Sequence, residues 1–196
     1  MTFLELNKRI YDKLSPLAMT NGALVLLSLW AFFEASFWFV IPDFLLLILC
    51  ILYPKNYKKF FIFTLLFSIL GIIAYFTFVS NYTLLSGEIL LNTPFINQKM
   101  LDSINSLYTD KGISVVLRQT TTFTPVKVWT FEAVLHQFNL VFYLFFVAIS
   151  RAIRMFIISL IFAFIGNKYR KAIRDYSSIL LLSYIFVFFI VLFYVT

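Results

Sequence analysis

The sequence predicts an all-α integral membrane protein, with two re-entrant helical hairpins of opposite orientation, about three transmembrane helices and amphipathic interfacial helices. Three observations carry that expectation. Of the 196 residues, 62% are hydrophobic, 20% aromatic and only 13% charged, and several apolar runs approach the length of about 20 residues that spans a bilayer core. Two of the longer apolar regions are interrupted by proline and charge, at Glu34 and Pro42-Asp43, and at Pro125, Lys127 and Glu132. Most of the +7 net charge lies in two short clusters, Lys55-Asn56-Tyr57-Lys58-Lys59 and Lys168-Tyr169-Arg170-Lys171-Ala172-Ile173-Arg174. Basic clusters beside membrane segments read as cytoplasmic loops rather than as nucleic-acid affinity.

Along the chain, 1–20 predicts an amphipathic helix on the membrane surface. Phe3, Leu4, Leu6, Ile10, Tyr11, Leu14 and Leu17 recur at helical spacing, Lys8, Arg9 and Lys13 form a basic side, and Ser15-Pro16 marks the end. Both signs of charge and the lack of a small-residue cleavage site argue against a signal peptide. The apolar region 21–52 is too long for one span and too short for two. Proline removes a backbone donor, and a helix broken at membrane depth must be buried in protein or line a cavity. The expected form is a hairpin turning near Pro42-Asp43, and 21–80 then reads as hairpin plus span, the span being 60–79. The polar connection 81–112 ends in an amphipathic helix over 95–110, with Thr93 as N-cap, Pro94 at its first position and Gly112 as its stop.

The stretch 113–166 repeats the arrangement, with a hairpin over 113–138 broken at Pro125 and a span over 140–165. A basic cytoplasmic loop, 167–176, and a last span, 177–196, complete a single membrane domain. Both basic clusters lie inside only if each hairpin returns to the face it entered, which gives hairpin-plus-span twice with inverted topology. Plain spans in place of the hairpins are the alternative. The N-terminus is expected on the cytoplasmic side.

Six ionisable residues fall at membrane depth: Glu34, Asp43, Lys127, Glu132, Arg151 and Arg154. Each arginine costs about 2.5–3.5 kcal/mol at the centre of an inserted helix. At spacing i, i+3, Arg151 and Arg154 share one face of their helix. Guanidiniums stay charged and offer forked donors, which suits them to a phosphate, and Lys127 after the Pro125 break adds a point charge. Glu34 and Asp43, on opposite arms of the first hairpin, suit proton exchange as a cavity opens to either side. The bland alternatives are structural ion pairs, Glu132 neutralising Lys127, and Asp43 as a mere cap. Arg118 is expected to snorkel at the outer interface. A single histidine, His136, and a single cysteine, Cys50, leave no expected metal site, disulfide or cofactor.

Three motifs carry a family resemblance. Phe33-Glu34-Ala35-Ser36-Phe37-Trp38-Phe39-Val40-Ile41-Pro42-Asp43 resembles the first hairpin of the DedA (SNARE-associated, VTT-domain) family, closest to its YqaA-like branch. Phe123-Thr124-Pro125-Val126-Lys127-Val128-Trp129-Thr130 resembles that branch's second motif. Ser150-Arg151-Ala152-Ile153-Arg154 is similar to a Gly-Arg-x-x-Arg pattern, with Ser150 in the glycine's place. The first hairpin keeps one proline where two are frequent, the second motif is about two residues short, and Glu132-Ala133-Val134 stands where small residues are usual. The order and spacing cover most of the chain. The resemblance implies a bacterial inner-membrane translocase that moves phospholipids or polyprenyl phosphates such as undecaprenyl phosphate, linked to the proton gradient. Its implied partners are the phosphorylated lipid, protons and the membrane, with a homo-oligomer left open. A lipid-modifying enzyme and a structural assembly factor are the competing classes; no nucleophile beside a base supports the former.

Overall fold

A computed structural model describes residues 3–37, 43–122 and 124–194. The helices in chain order are α1 (Phe3–Leu17), α2 (Asn21–Ser36), α3 (Asp43–Leu52), α4 (Tyr57–Asn81), α5 (Thr83–Leu91), α6 (Gln98–Lys111), α7 (Val126–Leu135), α8 (Leu140–Lys168), α9 (Arg170–Asp175) and α10 (Ser177–Tyr194). Short 3-10 turns, Pro54–Asn56 and Ile113–Thr120, precede α4 and the α7 region. No strand occurs among the described residues.

Two helical stretches are long and apolar enough to cross a membrane, Pro54–Asn81 and Leu140–Lys168, and these mark the chain as a membrane protein. Their lipid-compatible faces are legible residue by residue. On α4, Ile62, Leu66 and Leu70 are exposed at four-residue spacing. On α8, Phe142, Phe145, Ile149, Ile153, Phe156, Leu160 and Phe164 face outward, while Tyr143, Val147, Arg151, Met155, Ser159 and Ala163 are buried. The third predicted span is shorter. At 18 residues, α10 rises about 27 Å, just under a hydrocarbon core of about 30 Å.

The regions predicted as hairpins are broken helices. Residues 38–42, which include Pro42 and its predicted turn, lie outside the described residues. After them, α3 has 10 residues and so rises only about 15 Å, half a bilayer. In 113–138 the 3-10 turn ends at Thr120, and α7 begins after Pro125, whose extended ψ of 141° stops helical geometry there. Its 10 residues also rise about 15 Å.

The first helix ends at Leu17, beside the Ser15-Pro16 stop, since a proline in a last turn removes only one backbone bond. Several local expectations are corrected. Residues 83–91, read as polar connection, form α5. The following helix starts at Gln98, not 95, since Phe95 takes a positive φ of 70° and Asn97 supplies the cap by accepting the Met100 N–H at 3.0 Å. Gly112 ends it as expected, at φ +66°.

The chain divides into two compact units. Residues 1–27, 42–63 and 157–196 form the first, and residues 28–41 and 64–156 the second. In the first, α1 is pinned to the start of α10: buried Asn7 accepts bonds from Ser178 N at 2.8 Å and Ser177 Oγ at 2.7 Å, through its side chain and carbonyl respectively. Tyr11, Ile51 and Ile173 form a small apolar core there. Arg174 donates to Asp12 at 2.8 Å on the surface, and that hydrogen bond holds the guanidinium protonated above its ordinary range. A Cβ at Gly166 would meet the Ile51 carbonyl oxygen at 2.5 Å, so only glycine lets α8 approach α3 so closely.

The second unit holds the main core. Its centre is Trp129, Tyr143, Tyr108, Ile72, Val79 and Val116. Helix α6 packs on α7 through Leu101, Ile104 and Tyr108, with the Tyr108 hydroxyl donating to the Trp129 carbonyl at 3.2 Å. Helix α4 passes so near α2 that a Cβ at Gly71 would collide with the Phe32 carbonyl oxygen.

Candidate functional site: a buried ion pair

Within the second unit, α8 projects Arg151 from its inward stripe toward α2. Arg151 Nη2 donates to Glu34 Oε2 at 2.6 Å, and the two side chains are 5% and 6% exposed. A charged pair so enclosed survives only when each member satisfies the other. Lys127, in the first turn of α7 just past Pro125, is also buried, and the Glu34 carboxylate acts on it as a charged neighbour. Arg154 is half-buried, with Nη1 toward the Thr122 carbonyl at 3.5 Å. The Glu34 carboxylate and three cationic side chains from α7 and α8 thus belong to one compact unit.

The frame around these charges is polar and mutually bonded. The Tyr143 hydroxyl lies within the field of Arg151 and shares a hydrogen bond of 2.9 Å with Thr130 Oγ1, which in turn donates to the Val126 carbonyl at 3.0 Å. Ser150 Oγ is 2.8 Å from Thr120 Oγ1. Among the described residues, four buried side-chain polar atoms have no hydrogen-bond partner: Arg151 Nε, Thr122 Oγ1, Trp129 Nε1 and Ser68 Oγ. Two of them, Arg151 Nε and Thr122 Oγ1, belong to the residues that make up this cluster. An unsatisfied buried donor costs about 1–3 kcal/mol, so each is a group with capacity for a ligand atom.

The predicted residues thus divide. Glu34, Lys127 and Arg151 come together, and Arg154 follows one turn along α8. Pro125 makes the break that aims Lys127 inward, whereas Pro42 falls outside the described residues. Asp43 opens α3 in the first unit. Glu132 is buried on α7 with Asp102 and Tyr108 of α6 as electrostatic neighbours. Arg118 is exposed. His136 shares a 2.9 Å bond with Asn105 Oδ1 and stacks on Phe138, a packing role beneath α6. Among the described residues no three His, Cys, Asp or Glu side chains gather as a metal site.

Sequence reasoning missed Gln119, Thr120, Thr130 and Tyr143. Tyr143 lies on the Arg151 face at i−8, and Thr130 is one turn from Lys127. Helical spacing from the charged residues was the signal that could have found both.

Fold and site together define a class: a helical membrane protein with a buried ion pair between α2 and a helix long enough to cross a membrane. No family model, no characterised protein and no solved structure matches the chain.

Proposed function

We propose that the chain is a lipid translocase that receives a phosphorylated headgroup at Arg151, Arg154 and Lys127, of the kind its DedA-like motifs imply, in a bacterial inner membrane. The observation that carries this reading is the Glu34–Arg151 pair: a guanidinium with one edge on a resident carboxylate and an unpartnered Nε. A carboxylate and a phosphate bind a guanidinium in the same way. Glu34 is then a built-in competitor, and its protonation releases Arg151 to an incoming phosphate. Proton movement and headgroup binding are coupled through that exchange, with Asp43 as the second acid of the first hairpin.

The half-bilayer lengths of α3 and α7 support re-entrant hairpins on this reading, since neither arm can cross alone. Interrupted helices that carry the binding groups to mid-depth are a recurring transporter device.

The test is lipid movement in liposomes over a panel of phosphorylated lipids, with and without an imposed pH gradient. Arg151→Ala should abolish flipping of the preferred lipid while the protein stays folded. Transport by that variant at the wild-type rate would sink the proposal, and lipid chemically altered on mass analysis would indicate an enzyme instead.

One observation favours a second reading. The Glu34–Arg151 bond also ties α2 to α8, so the pair could serve assembly alone. In that case the exchanged variant Glu34→Arg/Arg151→Glu regains full function, because only pairing matters. A headgroup site predicts that it folds and stays inactive.

A further inference from the structure

Thr120 and Ser150 meet across 30 residues of sequence, one position before Arg151. Their hydroxyl oxygens are 2.8 Å apart, and Thr120 Oγ1 also donates to the Ser150 carbonyl at 3.2 Å. In a helix that carbonyl accepts the N–H of the residue four positions on, here Arg154. Thr120 therefore grips the single turn of α8 that carries both arginines. Ser150 is fully buried, and its hydroxyl has further acceptors in Gln119 Oε1 at 3.3 Å and the Leu117 carbonyl at 3.4 Å. Two residues past Thr120, the Thr122 carbonyl meets Arg154 Nη1 at 3.5 Å. The chain from 117 to 122 thus runs beside 150–154 and leads directly into the break before Pro125 and Lys127.

The neighbouring inward positions of α8 in this unit are Val147 and Met155, both buried and apolar. Apolar contacts resist separation but are non-directional, so they allow a helix to slide or rotate by small amounts. Hydrogen bonds between hydroxyls fix register, because they weaken steeply off their preferred distance and angle. A site made of long side chains needs that support, since misplacement by about 1 Å is enough to lose productive geometry.

We infer that the Thr120–Ser150 hydroxyl pair is a positioning element of the anion site, setting the Arg151–Arg154 turn against the break that carries Lys127. This rests on the headgroup reading above. Thr120 and Ser150 touch neither the ion pair nor a ligand; they act through the backbone of α8. Thr120→Val keeps the side-chain shape and leaves Ser150 Oγ with Gln119 and Leu117, so no buried hydroxyl is stranded.

The experiment is calorimetric titration of the purified full-length chain in detergent with hexadecyl phosphate. Arg151→Ala should lose binding. Thr120→Val should bind about fivefold more weakly, the worth of one directional hydrogen bond, while the protein stays folded. Thr120→Ser, which keeps the hydroxyl, should match the wild type; this rescue separates positioning from a loss of bulk packing. Should Thr120→Val not fold, Ser150→Ala is titrated in its place with the same expectation. Wild-type affinity in Thr120→Val alongside lost binding in Arg151→Ala overturns the positioning role and leaves the site. Thr120→Ser as weak as Thr120→Val also overturns it. Undiminished binding by Arg151→Ala overturns the anion site itself, and the positioning role with it.

Discussion

Arg151 is bonded on one edge and unpartnered at Nε, and that asymmetry governs what its substitution should do. Removing Glu34 leaves a buried guanidinium without its counter-charge, and breaking such a pair costs about 3–5 kcal/mol. Glu34→Ala should therefore lower the unfolding free energy in detergent by an amount of that order. The double variant Glu34→Ala/Arg151→Met should recover most of it, because the stranded charge goes too. Chemical denaturation of the four proteins in the cycle measures this; a double variant as unstable as Glu34→Ala would show that the pair is not the dominant cost. Stability and transport separate here, since the recovered double variant has no headgroup donor at 151. Exposed Arg174–Asp12 behaves differently, because water screens such a pair and its contribution should fade with added salt.

At the scale of elements, the second unit depends on helices that touch backbone to backbone. Gly71 on α4 faces the Phe32 carbonyl of α2, and its Cβ would also lie 2.9 Å from Ala35 Cβ. Gly71→Ala should force α2 and α4 apart at a cost of about 1–3 kcal/mol, read as a lower melting temperature. Because Glu34 sits two residues past Phe32 on α2, the same substitution should also weaken binding of an alkyl phosphate. An unchanged melting temperature would mean that the helices have room to move, contrary to the packing. Breaks matter as much as contacts. The Pro125 break ends one backbone direction and starts α7 with Lys127 in its first turn, which is how a charge enters a core whose centre is Trp129 and Tyr143.

At the scale of the molecule, the charge pattern makes a testable statement about sidedness. Lys58 and Lys171 belong to the two basic clusters, Asp102 lies on α6 between them, and all three are exposed. If 113–138 re-enters and returns, Lys58→Cys and Lys171→Cys are labelled by an impermeant maleimide from one face and Asp102→Cys from the other. Native Cys50 is buried and should give little background. If 113–138 crosses instead, Lys171→Cys labels from the face of Asp102→Cys, and the inverted-repeat arrangement fails. The outward apolar stripes of α4 and α8 are what the acyl chains should cover, since contiguous exposed apolar surface of this extent is rare on a chain surrounded by water.

The sequence by itself determined the class and most of the punctuation. Composition and run length gave helices for a membrane, because hydrocarbon satisfies no backbone polar group and leaves the helix to do so internally. Gly112 and Pro125 were legible because each acts through its own backbone. The helix over 83–91, by contrast, was hidden by polar residues whose hydroxyls bond back within the helix, as Ser86 Oγ does to the Thr83 carbonyl. The site was half legible. Charge at membrane depth singled out Glu34, Lys127 and Arg151, since each is costly enough to need a reason. Which charges pair was not legible, because Glu34 and Arg151 are 117 residues apart and no local spacing relates them. Only tertiary packing decided that Glu34 meets Arg151, that Glu132 turns to α6, and that Thr120 grips the turn beside Ser150. Pairing is a property of the distances that helix packing creates, and one-dimensional periodicity carries each helix's inward face but not its neighbour.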